Sequence, residues 1–273
     1  MRFYNSGIMR DLKSVDVGKI WWFWFTTNAF AVDKRLRQIF RILPHDPRCK
    51  FCNAPFQGVG GMIVRALFGK QRSDLNPRFC NLCEKASREF PGGAEVEMSM
   101  LFADVRGSTA LSEKMSPTEF SGLINRFYSG ATNVITKEDG LVEKLAGDAV
   151  AAFWGAGFAG PDYVERTIKV AQNLSKVMAQ HAIPVGIGVH SGIAYFGAVG
   201  TADGLTDISA IGDEVNTAAR LASKAAAGEI VISEKALQQA GMDGSELESR
   251  SLELKGISEP VPVRVMHIHS EKE

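Results

Sequence analysis

The chain has no net charge, no apolar run long enough for a bilayer and few cysteines, and each shortage removes a class of protein. Lysine plus arginine number 31, as do aspartate plus glutamate, so no global field draws the molecule to nucleic acid or an anionic membrane. The longest apolar stretch, residues 20–32, contains Trp21, Trp22, Phe23, Trp24 and Phe25 but is interrupted by Thr26, Thr27 and Asn28. Crossing a bilayer takes about 20 predominantly apolar residues. Export is discounted as well. Ala29-Phe30-Ala31 has the small-x-small spacing of a signal-peptidase site, but Asp11 and Asp16 spoil the basic region that must precede it. No internal repeat or low-complexity tract occurs. Gly69-Lys70 is followed by Gln71 where a Walker loop needs Ser or Thr, and Gly58-x-Gly60-Gly61 follows no predicted strand and reads as turns.

The neutral average hides a split. Residues 1–90 carry 16 basic and 7 acidic side chains, and the remainder 15 and 24, so a +9 segment precedes a −9 segment. Pro91-Gly92-Gly93 follows the change and marks the expected boundary. The four cysteines all lie in the basic part, as Cys49-x2-Cys52 and Cys80-x2-Cys83. Two matched pairs in a chain without a disulfide framework read as a metal site in a reducing compartment. Tetrahedral zinc is the first choice, an iron–sulfur cluster the second and a redox dithiol the third. Residues 1–48 then form an N-terminal amphipathic or hydrophobic segment, 49–93 a four-cysteine module and 94–273 a separate domain. The segment at 20–32, with Lys19 before it and Lys34, Arg35 and Arg37 after it, fits a membrane surface, a protein partner or a buried helix. The expected location is cytoplasmic, with peripheral membrane attachment open.

Beyond residue 94 strands and helices alternate. Residues 98–103 read as a strand ending at Asp104. Ser116-Pro117-Thr118-Glu119 is a capping box, and Phe120, Leu123, Ile124, Phe127, Ala131 and Val134 follow at helical spacing until Gly140 stops the helix. Runs at 141–146 and 149–154 flank Gly147-Asp148 as a hairpin would. A helix at 161–181 leads into Ile183, Val185, Ile187 and Val189, alternating as in a strand. Then come a strand at 193–199, a helix at 213–224 and strands at 229–233, 249–255 and 261–268. The pattern predicts an α+β fold, a mostly antiparallel sheet with helices on one face.

Asp104 and Asp148 each fall where a strand ends, so both would project from one sheet edge, where two carboxylates can hold Mg²⁺. By spacing alone Asp104 could equally cap a helix and Asp148 serve a turn. Asn216 and Arg220, in IGDEVNTAARL, share a helix face, and Arg220 offers a forked donor to phosphate.

The strings FADVRGST (102–109), VEKLAGDAVAAFW (142–154), GIGVHSGIAYFGAVG (186–200), AIGDEVNTAARL (210–221) and LKG (254–256), in this order, resemble the motif set of the class III nucleotidyl cyclase catalytic domain over about residues 95–270. The resemblance implies a ferredoxin-like βαββαβ core, a head-to-tail homodimer with shared active sites, and conversion of ATP to 3′,5′-cyclic AMP and pyrophosphate. It makes Asp104 and Asp148, with the Val105 carbonyl, ligands of two Mg²⁺ or Mn²⁺ ions. Asn216 would position the ribose, Arg220 would stabilise the α-phosphate and Lys255 would hold the terminal phosphates. Lys144 falls at the base-selecting position, where an ammonium pairs with adenine N1; a guanylate enzyme would be expected to carry an acid there. Two departures stand out: Ser209 replaces the usual aspartate at the second base-selecting position, and Ile193 stands where many members have an arginine. Guanylate cyclase and a non-catalytic dimeric signalling module remain the alternatives, and nucleic-acid binding by the basic segment the outlier.

Overall fold

The computed structural model describes residues 16–27, 31–44, 46–200 and 206–268. In chain order these form α1 (Val17–Thr26), α2 (Ala31–Ile42), α3 (Gly58–Phe68), α4 (Asn81–Glu89), β1 (Gly92–Val105), α5 (Ser108–Lys114), α6 (Pro117–Lys137), β2 (Leu141–Ala146), β3 (Ala149–Trp154), α7 (Ala156–Ala159), α8 (Tyr163–Gln180), β4 (Val185–Gly200), β5 (Thr206–Ile211), α9 (Asp213–Lys224), β6 (Glu229–Ser233), α10 (Glu234–Ala240), β7 (Glu248–Leu252) and β8 (Val261–His267). They divide into two compact units. The first is Met1–Val96 with Ala156–Phe158 and Tyr195–Ile211; the second is Glu97–Gly155, Ala159–Ala194 and Gly212–Glu273.

In the first unit the aromatic run makes the short helix α1 and a separate α2. Asp16 caps α1, its carboxylate accepting from the Gly18 amide at 2.9 Å. The run divides between core and surface. Trp21 and Phe25 are buried whereas Trp22 and Phe23 are about half exposed. The Trp21 indole donates to the Phe90 carbonyl, and Phe25 packs on Phe158 and Phe196. Among the described residues no helix is long and apolar enough to cross a membrane. Asp11, Ala29 and Phe30, on which the export reading turned, lie outside the described residues, as does the Lys34 side chain. The glycines at 58–61 are not turns. They open α3, where a Cβ on Gly60 would come within 2.3 Å of the Pro44 carbonyl oxygen and one on Gly61 within 2.6 Å of the Phe56 backbone. Close packing of backbone on backbone requires Gly60 and Gly61, whereas Gly58 takes the left-handed conformation at φ +61°.

The sheet has the order β2-β3-β1-β4-β6-β8-β7, with β5 pairing on β4. Strands β1 to β4 thus stand in the ferredoxin-like order, with α6 joining β1 to β2 and α8 joining β3 to β4. β3 is antiparallel to β1 and β2, β4 is parallel to β6, and β8 is antiparallel to β6 and β7. The expected α+β fold is therefore present. In the second unit Met98, Met100, Leu101, Phe127, Ile135, Leu141, Phe153 and Trp154 are fully buried, each large side chain contributing about 1.5–3 kcal/mol by leaving water. The capping box forms as expected, with Ser116 accepting from the Glu119 amide. The runs expected at 183–189 and 193–199 are one strand, β4, and the sequence pattern did not foresee β5, α5, α7 or α10.

Candidate active site and cysteine centre

The β2–β3 turn carries Gly147 at φ +63°, a conformation glycine adopts without a Cβ penalty. Tyr128 of α6 braces this turn, its hydroxyl donating to the Gly147 carbonyl at 2.8 Å. Asp148 is thereby held at the start of β3, while Asp104 pairs with Ala149 at the end of β1. The Val105 amide donates to the Asp148 carbonyl at 2.9 Å, which fixes the 104–105 backbone beside Asp148. The two carboxylates feel each other. Burial pushes the Asp104 carboxyl up, Arg106 opposes that, and the charge of Asp148 pushes it up further. Arg106 pairs with Asp104 at 2.8 Å, and the Ser108 hydroxyl donates to the Asp148 carboxylate. Two half-buried carboxylates balanced by one guanidinium leave a local excess of negative charge, so this donor set suits a small divalent cation.

The second group stands on α9. Asn216 is exposed and Arg220 half-buried, and among the described residues neither the Asn216 side-chain amide nor the Arg220 guanidinium has a hydrogen-bond partner. Arg220 reaches the turn at 254–256, its Nη2 lying 3.4 Å from where a Cβ on Gly256 would be. Lys255, exposed, is in that turn. The structure therefore brings Asp104, Val105 and Asp148 together at one sheet edge, and Arg220 with the Lys255 turn at another point of the second unit. Lys144 is exposed on β2, opposite Ala151. Ser209 belongs to the first unit, on β5 opposite Gly197.

Helix α9 is anchored by residues that sequence reasoning passed over. His190, buried in β4, bonds through Nδ1 to Ser233 at 2.7 Å and through Nε2 to the Glu214 carboxylate, which also pairs with Lys235 at 2.5 Å. Burial holds the His190 imidazole below its ordinary range despite Glu214. Ser108 and His190 both lie inside the motif strings, but their roles depend on partners 40 and 24 residues away in sequence.

In the first unit Cys49, Cys52, Cys80 and Cys83 converge, with sulfurs all within 4.8 Å of one another. No pair is disulfide-bonded. The cluster is positioned to bind a metal. Amides point at its sulfurs: Cys80 N–H donates to Cys49 Sγ at 3.2 Å and Cys83 N–H to Cys80 Sγ at 3.4 Å. Lys70, missed in the sequence, is buried with its ammonium 3.7 Å from Cys52 Sγ and 3.9 Å from Cys80 Sγ. Burial opposes the charge on Lys70, but the surrounding thiolates outweigh it and hold the ammonium protonated. The Cys80 thiol is drawn far down by hydrogen bonds from Cys49 and its neighbours and by Lys70, whereas burial pushes Cys49 up.

Comparison with known proteins gives this geometry its class. The adenylate and guanylate cyclase catalytic domain family matches residues 93–266. The crystal structure of the guanylyl cyclase Cya2 superimposes with a TM-score of 0.58 at 26% identity, covering 66% of this chain and 96% of that one. The adenylyl cyclase CyaB from P. aeruginosa gives 0.55, also at 26%, covering 66% and 98%. An adenylate cyclase of Anabaena cylindrica is 29% identical over 181 residues, 61% of this chain and 36% of that protein. The match spans little more than a third of the length of such curated relatives. The fold is that of a class III nucleotide cyclase catalytic domain. The chain belongs to the adenylate and guanylate cyclase catalytic domain family.

Proposed function

We propose that the chain is an adenylate cyclase, converting ATP to 3′,5′-cyclic AMP and pyrophosphate at sites shared by two protomers of a homodimer. The observation that carries the reading is the pair of carboxylates, Asp104 and Asp148, held at adjacent strand ends with an excess of negative charge. These carboxylates and the Val105 carbonyl are the groups that would hold Mg²⁺ or Mn²⁺. When bound there, such ions acidify the ribose 3′-hydroxyl and neutralise triphosphate charge.

The remaining work falls to the chain's own side chains. The 3′-oxygen must lie in line with the α-phosphorus as the bond to the departing pyrophosphate breaks. The Asn216 amide would hold the ribose in that alignment. Arg220 would bind the α-phosphate oxygens more strongly as charge builds on them, which is what makes the contact catalytic. Lys255, in the turn that Arg220 touches, would hold the terminal phosphates. Among the described residues the Asn216 side-chain amide and the Arg220 guanidinium have no hydrogen-bond partner, which leaves them available as donors to a ligand. The Lys144 ammonium would donate to adenine N1, and the Ser209 hydroxyl would accept from the exocyclic amine. Relatives of both specificities are similar to the chain, so Lys144 carries the choice of ATP.

The test is to incubate purified protein with ATP or GTP and Mg²⁺ or Mn²⁺ and identify the cyclic product by mass. ATP should be cyclised at least about tenfold faster, since breaking a hydrogen bond to a buried polar group costs about 1–3 kcal/mol, and Lys144→Glu should reduce the preference. Equal turnover of GTP would overturn the assignment of Lys144, and no turnover of either would favour a non-catalytic signalling module.

A further inference from the structure

The four cysteines, Lys70 and Asp207 have no part in the chemistry above, yet they form one continuous structure within the first unit. The sulfurs define the kind of metal they could share. A metal with about 2.3 Å bonds to four sulfurs at the corners of a regular tetrahedron sets them about 3.8 Å apart. Cys52 Sγ and Cys80 Sγ are 3.8 Å apart and all four sulfurs lie within 4.8 Å. Iron–sulfur clusters distribute their thiolates over separate irons and spread the sulfurs more widely. The spacing therefore fits a single ion. Four thiolates around a divalent ion leave a net charge of −2, and the buried Lys70 ammonium with the two N–H···S bonds offsets part of it.

The knuckles that hold the sulfurs also hold a strand. Asn53 N–H donates to the Cys49 carbonyl at 2.9 Å and Cys49 N–H to the Ala54 carbonyl at 2.9 Å, closing the first knuckle. Lys50, between the first two cysteines, is tied to the second by its amide, which donates to the Arg78 carbonyl at 2.8 Å. Its buried ammonium meets Asp207 Oδ1 at 2.8 Å and donates to the Ile208 carbonyl at 2.8 Å. Arg78, two residues before Cys80, pairs with Asp207 Oδ2 at 2.7 Å, and Asn76 donates to the Thr206 carbonyl at 3.0 Å. Asp207 is thus gripped from both knuckles at the start of β5, two residues before Ser209.

We infer that Cys49, Cys52, Cys80 and Cys83 bind one Zn²⁺ in a closed tetrahedral site, and that this ion, through Lys50, Arg78 and Asp207, fixes the position of β5. Zinc is chosen because soft thiolates in a closed tetrahedron suit it and no redox change is needed for a structural role. Binding releases the remaining thiol protons to solvent. Asp207 is then a positioning residue. The importance of β5 to nucleotide selection rests on the role proposed above for Ser209, but the metal and the grip do not.

Elemental analysis of the full chain should find about one zinc per chain and no inorganic sulfide, and Co²⁺ substitution should give the absorption of a tetrahedral thiolate site. Hydrogen exchange followed by mass spectrometry should show residues 206–211 exchanging at least about tenfold faster after zinc removal by a strong chelator, with 229–233 in β6 unchanged. Because metal loss could unfold more of the unit, Asp207→Asn is the second arm. It should keep its zinc while 206–211 exchange at least about tenfold faster. Iron with sulfide, or a folded chain without metal, would overturn the zinc site. Full protection of 206–211 in Asp207→Asn would overturn the grip. None of these readouts uses nucleotide, so a wrong choice between ATP and GTP leaves them intact, and a failed grip leaves cyclic AMP formation intact.

Discussion

At the scale of single residues, His190 shows how a buried ionisable group ties stability to pH through the fold. It links β4 to Glu214 in the first turn of α9, two residues before Asn216. Burial lowers its folded affinity for a proton below the ordinary value of 6.5. An unfolded chain therefore binds a proton here that the folded one resists, so the stabilisation is present above about pH 6.5 and is lost as pH falls toward the folded pKa. Glu214, also held low despite the opposing effect of burial, adds to this, its share being lost only as pH falls below the ordinary 4.5. Thermal melts should show the midpoint beginning to drop as pH falls below about 6.5, above the pH at which the carboxylate limb begins. His190→Gln, which can still hydrogen-bond but cannot titrate, should flatten the first limb and leave the second. An identical drop in both proteins would remove His190 as its source.

Among elements, the contact between β4 and α9 sets the position of the helix that carries Asn216 and Arg220, the residues proposed to meet the nucleotide. Gly188 makes that contact possible, since a Cβ there would lie 2.3 Å from the Ala222 amide nitrogen and 2.7 Å from the Ala218 carbonyl oxygen. Both are backbone atoms of α9 and cannot swing aside. Gly188→Ala should therefore lift the helix from the strand, costing about 1–3 kcal/mol in a urea melt and lowering kcat more than it raises KM. Wild-type stability and turnover would show that the helix has room to spare. The sequence disclosed α9 and β6 to the residue, because an amphipathic period and a buried apolar run are local properties. It disclosed the hairpin at 141–154 equally well, through Gly147-Asp148. The end of α6 was only half legible: Gly140 was expected to stop the helix, but it is Asp139, at φ +59°, that takes the left-handed conformation there. Gly140 is needed instead because a Cβ would lie 2.4 Å from the Trp154 ring, a partner that no local pattern names. The Asp207 clamp was invisible for the same reason, since Lys50 and Arg78 lie more than a hundred residues away. Of the candidate site, the residue types were legible and the company they keep, such as Arg106 on Asp104, was not.

For the whole molecule, the proposed chemistry requires two copies. In that proposal Asp104 and Asp148 would supply one half of a site and Asn216 and Arg220 the other, so that in a head-to-tail homodimer each active site would draw its halves from different protomers. Asp104→Ala and Arg220→Ala should each leave a folded homodimer with almost no turnover, because neither side chain is part of the buried apolar core. Mixed chains should behave differently. A heterodimer of the two variants has one site carrying both lesions and one carrying neither. With random assortment half the dimers are mixed and each has a single intact site, so about a quarter of wild-type activity should return if the sites act independently. Refolding the two variants together, or co-expressing them with different tags and purifying through both, guarantees the mixed species. Doubly tagged heterodimers should then approach about half the wild-type rate per dimer. A site built within one protomer gains nothing from mixing, since each chain retains its own lesion, and verified heterodimers that remain at the background of the single variants would exclude the shared site.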